Sequence, residues 1–232
     1  MLTWFFDLDN TLHDASHAIF PAINVNMNRY IGQILARDGL PATVEAVNAV
    51  RVDYWKRYGA TLLGMVKHHQ VHADEFLREA HRFENLAAML RAERGLVRLL
   101  RRLPGRKILL TNAPSHYARQ VVRALGLQRD FSHHIAIESM VVHRQLRPKP
   151  SRAMLQKLLA RGKLRAQDCV LVEDTLTNLK AAHSLGLRTA LVTQYGSMEN
   201  TTAAVNFVKR PHFVDVKVKS VKQLSAQLHR LR

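Results

Sequence analysis

The stretch Phe5-Phe6-Asp7-Leu8-Asp9-Asn10-Thr11-Leu12 decides how the rest of the chain is read. It closes a short apolar run beginning at Leu2, of the kind that forms a buried strand, and then turns abruptly acidic. If residues 2–6 form a strand of an open parallel sheet, Asp7 and Asp9 emerge at its carboxyl end, where such sheets bind their ligands. Residues two apart in extended chain point the same way, so both carboxylates can address one site. Two close carboxylates repel each other unless a cation or a shared proton lies between them, so the pair predicts a metal.

Further apolar runs at 107–110, 135–137, 169–172 and 189–192 predict more strands, with helical patterns between most of them. Alternating strands and helices imply an α/β fold, a parallel sheet covered by helices on both faces. The segment after the second strand carries Pro114 and Ser115 near a helix start. Val121, Val122 and Leu125 share its apolar face, and Gly126 ends it.

About ninety residues separate the first two strands, far more than a crossover needs, and their pattern is helical throughout. Helices are expected over 16–38, 43–58 and 74–82, with breaks at Gly39-Leu40-Pro41 and near Gly59, and 86–103 leads back into the sheet. The expected organisation is a core of residues 1–14 and 87–232 with a helical insertion at 15–86. At the far end Val221, Leu224, Leu228 and Leu231 share one face of a last helix that packs on the sheet.

Three polar clusters follow later strands or begin helices: Leu110-Thr111-Asn112, Arg147-Pro148-Lys149-Pro150, and Val172-Glu173-Asp174-Thr175-Leu176-Thr177-Asn178. Parallel strands deliver all of them to the edge that carries Asp7 and Asp9. A hydroxyl, a lysine and a second acidic pair there suit a phosphoryl group and a hard divalent cation.

These four segments, in this order, resemble the four motifs of the haloacid dehalogenase superfamily of aspartate-nucleophile phosphatases. The resemblance implies a Rossmann-like core with a cap, a lid that excludes water, inserted after the first strand. It implies Asp7 as nucleophile, Asp9 as general acid and base, and Thr111, Asn112 and Lys149 as the groups that hold the phosphate. It assigns magnesium to Asp7, Asp174 and the backbone carbonyl of Asp9, with Glu173 a further candidate and Asn178 in support. Asp9 argues against a dehalogenase, because that branch lacks this acid, while sugar phosphomutases keep it. Within the insertion, residues 53–64, with Tyr54, Tyr58 and Thr61, resemble the corresponding segment of pyrimidine 5'-nucleotidases. That implies a nucleoside 5'-monophosphate as substrate, pyrimidine preferred, and assigns Tyr54, Tyr58 and Thr61 to substrate specificity. His13-Asp14 and Trp55 depart from that branch. A sugar-phosphate or phosphoglycolate phosphatase or a phosphomutase is the alternative within the superfamily.

The formal charge of +17 arises from 35 Lys and Arg against 18 Asp and Glu, with basic stretches at 91–107, 144–165 and 209–232. The first fifty residues hold only Arg29 and Arg37 against Asp7, Asp9, Asp14, Asp38 and Glu45. No aromatic-plus-basic RNA motif accompanies the excess, so a nucleic-acid-binding protein on this fold is the lesser reading and a small phosphorylated metabolite the expected partner. Cys169, the only cysteine, lies in an apolar run and reads as a buried structural thiol. His68, His69 and His72 lack a compact ligand set for a metal, His133-His134 fares no better, and Trp55 is expected in the insertion's core. No membrane-spanning stretch or cleavage signal is seen, which places the protein in the cytoplasm as an expectation.

Overall fold

The structure, a computed structural model, describes residues 1–195 and 210–231. Lys209 and Arg232, which bound the last basic stretch, lie outside the described residues. The chain forms two compact units, one of residues 1–17 with 87–232 and one of residues 18–86. In the first unit the strands are β1 (Thr3–Phe6), β2 (Arg106–Leu110), β3 (His133–Ile135), β4 (Val141–Val142), β5 (Gln145–Leu146), β6 (Cys169–Glu173), β7 (Arg188–Val192) and β8 (Val216–Val218). Six of them make one sheet in the order β3-β2-β1-β6-β7-β8. Every neighbouring pair in it is parallel. The fold is therefore α/β and Rossmann-like, a parallel sheet flanked by helices.

Chain direction across the sheet reverses at β1, which pairs with β2 on one side and β6 on the other. Such a switch point opens a crevice at the strands' carboxyl ends. All four residues of β1 are buried. Phe5 joins Ile108, Leu171, Met154 and Leu179 in one apolar cluster. Trp4 and Phe6 point to the opposite face and are equally buried, so both sides of the sheet are dry. The indole N–H of Trp4 donates to the Pro104 carbonyl at 2.7 Å, which removes the cost of burying it.

In the second unit the helices are α1 (Ile19–Arg37), α2 (Val44–Tyr58), α3 (Thr61–His69) and α4 (Ala73–Ala80). Thr43 caps α2 by accepting from the Ala46 N–H at 3.3 Å, and Gly59 ends it at φ 80°. Tyr30 of α1 meets Phe76 of α4 edge-to-face, centroids 5.8 Å apart. On α2 the inward strip runs through Val47, Arg51, Tyr54 and Tyr58, each about one or two turns from the last. Trp55 lies off that strip and is 45% exposed, so the expectation that it packs in the core is wrong. Helix α3 was not foreseen, because Gly64 in its middle weakens the helical pattern. A Cβ at Gly64 would overlap the Tyr54 ring, so that glycine is what lets α3 pack against α2.

The remaining α-helices are α5 (Leu86–Met89), α6 (Leu96–Arg102), α7 (Ser115–Ala124), α8 (Arg152–Gly162) and α9 (Leu176–His183). The stretch over 86–103 that leads back into the sheet holds two helices, the second beginning directly after Gly95 at φ 81°. The third strand sits at 133–135 instead of 135–137; residues 137–139 make a 3₁₀ turn. As an edge strand it exposes His133 and His134 and so lacks an apolar signature. The last helix, Val221–Arg230, is wound as 3₁₀, and Val221 and Leu224, three apart, are its buried residues. No helix among the described residues is long and apolar enough to cross a membrane.

Replacing Gly64 by Ala is expected to destabilise the protein by about 1–3 kcal/mol, the usual cost of forcing a methyl group into a filled space. The midpoint of urea unfolding checks this; an unchanged midpoint would show that Tyr54 moves aside freely.

Candidate active site

The site is built where β1 and β6 end side by side. Phe6 pairs with Val172, so the next residue of each strand, Asp7 and Glu173, emerge together. The Asp7 N–H still donates to the Val172 carbonyl at 3.0 Å, holding the first carboxylate to the sheet. Beyond Asp9 the chain must turn back, and Asn10 does this at φ 58°, a left-handed conformation that asparagine tolerates. Its side-chain oxygen accepts from the N–H groups of Ala15 and Ser16, both at 3.1 Å, which fixes the turn.

Lys149 is brought in by the β4–β5 hairpin and by Asn112. Asn112 Nδ2 donates to the Lys149 carbonyl at 3.0 Å and Asn112 Oδ1 accepts from the Lys149 N–H at 2.9 Å. The Asn112 side chain thus positions Lys149. Lys149 Nζ lies 2.6 Å from Asp7 Oδ1 and 2.7 Å from Glu173 Oε2, with all three residues buried. Asn178 Nδ2 donates to Glu173 Oε2 at 3.0 Å. Glu173 Oε1 accepts from the N–H groups of Asp174 and Thr175 at 3.2 and 3.3 Å. Asp174 is half-buried and accepts from the Thr175 hydroxyl at 3.2 Å.

One ammonium thus serves several acids, and the proton affinities reflect the shortfall. Asp7 is pushed up to about 8 by burial and by the charges of Glu173 and Asp9, against the pull of Lys149. Asp174 is raised well above the ordinary aspartate range by burial and by Glu173. Burial opposes the charge on Glu173 as well, but Lys149 and its hydrogen-bond donors hold it below the usual carboxylate range. Lys149 loses solvation yet is held above the ordinary lysine range by Asp7 and Glu173. Oxygens of Asp7, Glu173 and Asp174 lie within 4.8 Å of one another. An all-oxygen trio with excess negative charge fits a hard divalent cation, and Glu173 is one of its three members.

Thr111 follows β2 and is buried; its hydroxyl oxygen accepts from the Ala113 N–H at 3.0 Å, so its own proton remains to be donated elsewhere. The Asp9 carboxylate meets two rings that the sequence did not single out for the site. Tyr117 Oη donates to Asp9 Oδ1 at 2.6 Å, and His13 Nε2 lies 2.9 Å from the same oxygen. The spacing of four between Asp9 and His13 was the one signal available; Tyr117 comes from α7, which no local pattern connects to Asp9.

Within the second unit the hydroxyls proposed for specificity have partners. Tyr54 Oη meets His69 Nε2 at 2.9 Å, Tyr58 Oη meets His68 Nε2 at 2.6 Å, and Thr61 donates to the Arg51 carbonyl at 3.0 Å. His69 Nδ1 is 2.7 Å from Asp38. Cys169 is buried, its thiol donates to the Arg165 carbonyl at 3.3 Å, and burial pushes it up to about 11, which suits a structural thiol.

A family model described as haloacid dehalogenase-like hydrolase matches residues 1–186. The chain belongs to the haloacid dehalogenase-like hydrolases. Among solved structures, this hydrolase is similar to a HAD phosphatase from Thermococcus onnurineus at 17% identity and a TM-score of 0.64, over 100% of both chains. It is similar to the L-2-haloacid dehalogenase from Xanthobacter autotrophicus with chloropropionic acid covalently bound, at 14% identity and a TM-score of 0.58, over 99% of each chain. A HAD-superfamily hydrolase of subfamily IA, variant 1, from Geobacter sulfurreducens aligns over 98% of this chain and 96% of its own, at 18% identity and a TM-score of 0.53. At these identities the likeness is one of fold, and what the hydrolase acts on must come from its own residues.

The acid excess has a consequence for stability. Between the ordinary aspartate value of 3.8 and about 8, folded Asp7 keeps a proton that the unfolded chain has released. Stability of the hydrolase in chelator is therefore expected to fall as pH rises through that window, and Asp174→Asn, by removing a second carboxyl held above its ordinary range, to flatten the slope. Glu173 acts in the opposite sense, but only in the acid range, where its contribution is lost as pH falls. Thermal midpoints measured across this range decide; a rising midpoint between mildly acidic and neutral pH would contradict the burial of excess charge.

Proposed function

We propose that this hydrolase is a magnesium-dependent phosphatase that cleaves small phosphomonoesters through an aspartyl-phosphate on Asp7. The observation that carries the reading is the placement of Asp7 at the carboxyl end of the central strand, its Oδ1 2.6 Å from Lys149 Nζ, with Asp9 two residues on. In the first half-reaction a carboxylate oxygen of Asp7 attacks phosphorus in line, the ester P–O bond breaks, and Asp9 gives its proton to the leaving oxygen. In the second, Asp9 takes a proton from water as that water attacks phosphorus. The bond from phosphorus to Asp7 breaks and inorganic phosphate leaves. Lys149 and the Thr111 hydroxyl hold the transferring oxygens, and such positioning and charge stabilisation carry most of phosphoryl transfer.

Asp7 must be ionised to attack, yet its surroundings favour the protonated form. Asp7, Asp174 and the Asp9 carbonyl, with Glu173 beside them, would hold magnesium, which when bound supplies the positive charge that keeps Asp7 and the phosphoryl oxygens anionic. The substrate we propose is a nucleoside 5'-monophosphate with a pyrimidine base. That assignment rests on the likeness of residues 53–64 to the pyrimidine 5'-nucleotidases. The hydroxyls of Tyr54, Tyr58 and Thr61 are held by neighbours and the Tyr54 ring is stacked on His68, so contact with a base requires these residues to exchange those partners.

Asp7→Asn is expected to lower kcat by roughly a thousandfold or more, the scale on which loss of a covalent nucleophile acts. Excess chelator should abolish phosphate release, and added magnesium should restore it. Turnover surviving either treatment within about tenfold would overturn the mechanism.

The substrate is tested by kcat/KM for UMP, CMP, AMP, a hexose phosphate and phosphoglycolate at fixed magnesium and salt. UMP or CMP is expected to lead. A hexose phosphate or phosphoglycolate ahead by about tenfold, some 1.4 kcal/mol of transition-state binding, would remove the nucleotide assignment and leave the phosphatase reading standing.

A further inference from the structure

Asp9 does not sit loosely beside the nucleophile. Its Oδ1 accepts from Tyr117 Oη at 2.6 Å and lies 2.9 Å from His13 Nε2, and the two donors approach each other to 3.5 Å. Both rings are buried, His13 at 0% and Tyr117 at 1% exposure, whereas the Asp9 side chain keeps 15%. Packing alone does not explain them. A leucine and a phenylalanine would fill the same space without a hydroxyl and an imidazole to desolvate, a cost recovered only because both polar tips end on one carboxylate oxygen.

The proton positions follow from the surroundings. His13 Nδ1 is buried with no hydrogen-bond partner among the described residues, so the tautomer that fits carries its hydrogen on Nε2 and gives it to Asp9. The Tyr117 hydroxyl ends on a carboxylate oxygen, which can only accept, and is the donor of that pair. The backbones of Asp9 and His13 are themselves paired in an isolated parallel bridge. Tyr117 rises from the first turns of α7, directly after the loop that bears Thr111 and Asn112.

We propose that Tyr117 and His13 are positioning residues for the acid-base step: together they hold Asp9 Oδ1 and so fix the orientation of the carboxyl group that transfers the proton. This rests on the reading of Asp9 as general acid and base. A carboxyl group free to rotate presents its oxygens at varying angles; one pinned by two donors presents them in a fixed direction. The two hydrogen bonds also favour the carboxylate that remains once the proton has gone to the leaving group, which helps most when that group is a poor one.

The variants are Tyr117→Phe, which removes one oxygen, and His13→Leu, with His13→Gln as the conservative partner whose amide N–H can reach toward Asp9. Single-turnover rates are measured with magnesium on two esters. One is UMP, whose alkoxide must be protonated to leave, and the other is 2,4-dinitrophenyl phosphate, whose phenolate leaves without help. The loss on UMP is expected to exceed the loss on the dinitrophenyl ester by about tenfold or more in Tyr117→Phe and in His13→Leu, as misplacing a general acid requires. His13→Gln should recover most of the difference. Equal losses on both esters, or no loss, would overturn the positioning role, and either variant alone gives the comparison should the other not fold. If the parent protein itself shows no dinitrophenolate burst and no hydroxylamine-sensitive phosphoprotein, the aspartyl-phosphate reading falls and this inference with it. A parent burst with equal losses in the variants removes only the inference.

Discussion

Lys149 is the charge on which the arrangement around it depends. Its ammonium lies between Asp7 and Glu173 at salt-bridge distance from both, in a place where water can do little to separate like charges. Removing it would leave two buried carboxylates facing each other, a situation proteins avoid by protonating one of them or by unfolding. The constraint explains why so much of the surrounding structure is spent on a single side chain: the β4–β5 hairpin, the paired hydrogen bonds from Asn112, and the cluster of donors that keeps Glu173 ionised. The same balance explains why the ensemble still falls short of neutrality with Asp174 nearby.

The sheet and the main site residues were legible because they obey strong local rules. Buried central strands announce themselves as apolar runs, and their carboxyl ends fix where the polar clusters must meet. What was not legible had weaker or non-local causes. The β4–β5 hairpin turns through His143 and Arg144, both at positive φ, where a sequence reader looks for asparagine and glycine. The edge strand β3 carries polar residues because its face is not enclosed. Helix α3 carries in its middle a glycine whose purpose is close packing against Tyr54, a tertiary reason that no window of sequence contains. Tyr117 was invisible as a site residue for the same reason, since only the register of β2 against β1 and the start of α7 bring it to Asp9.

The formal charge of +17 stands in contrast to this acid-rich centre. Arginines and lysines that do not enter the site bias the field at longer range, where they favour the approach of anions and do not alter the chemistry of the trio. That division suits the activity proposed above: distant charge favours the approach of a phosphorylated small molecule, and the repulsion at the site is one that a bound cation would relieve. It also separates two effects of salt, which screens the distant charges within about 10 Å at 0.1 M but barely touches buried pairs.

The first unit is discontinuous in sequence, and that has a bearing on how the molecule comes to exist. Strand β1 sits at the middle of the sheet, yet both of its partners come after residues 18–86 in the chain. Until β2 and β6 are available, Trp4, Phe5 and Phe6 have no native surface to cover them. The segment between is contiguous and helical and can collapse within itself first. Nucleation of the sheet must then wait on long loop closures, the slow kind of folding that leaves an apolar strand exposed to association with other chains. A chaperone that shelters the first few residues during this interval would have a greater effect on yield than one acting on the helical insertion.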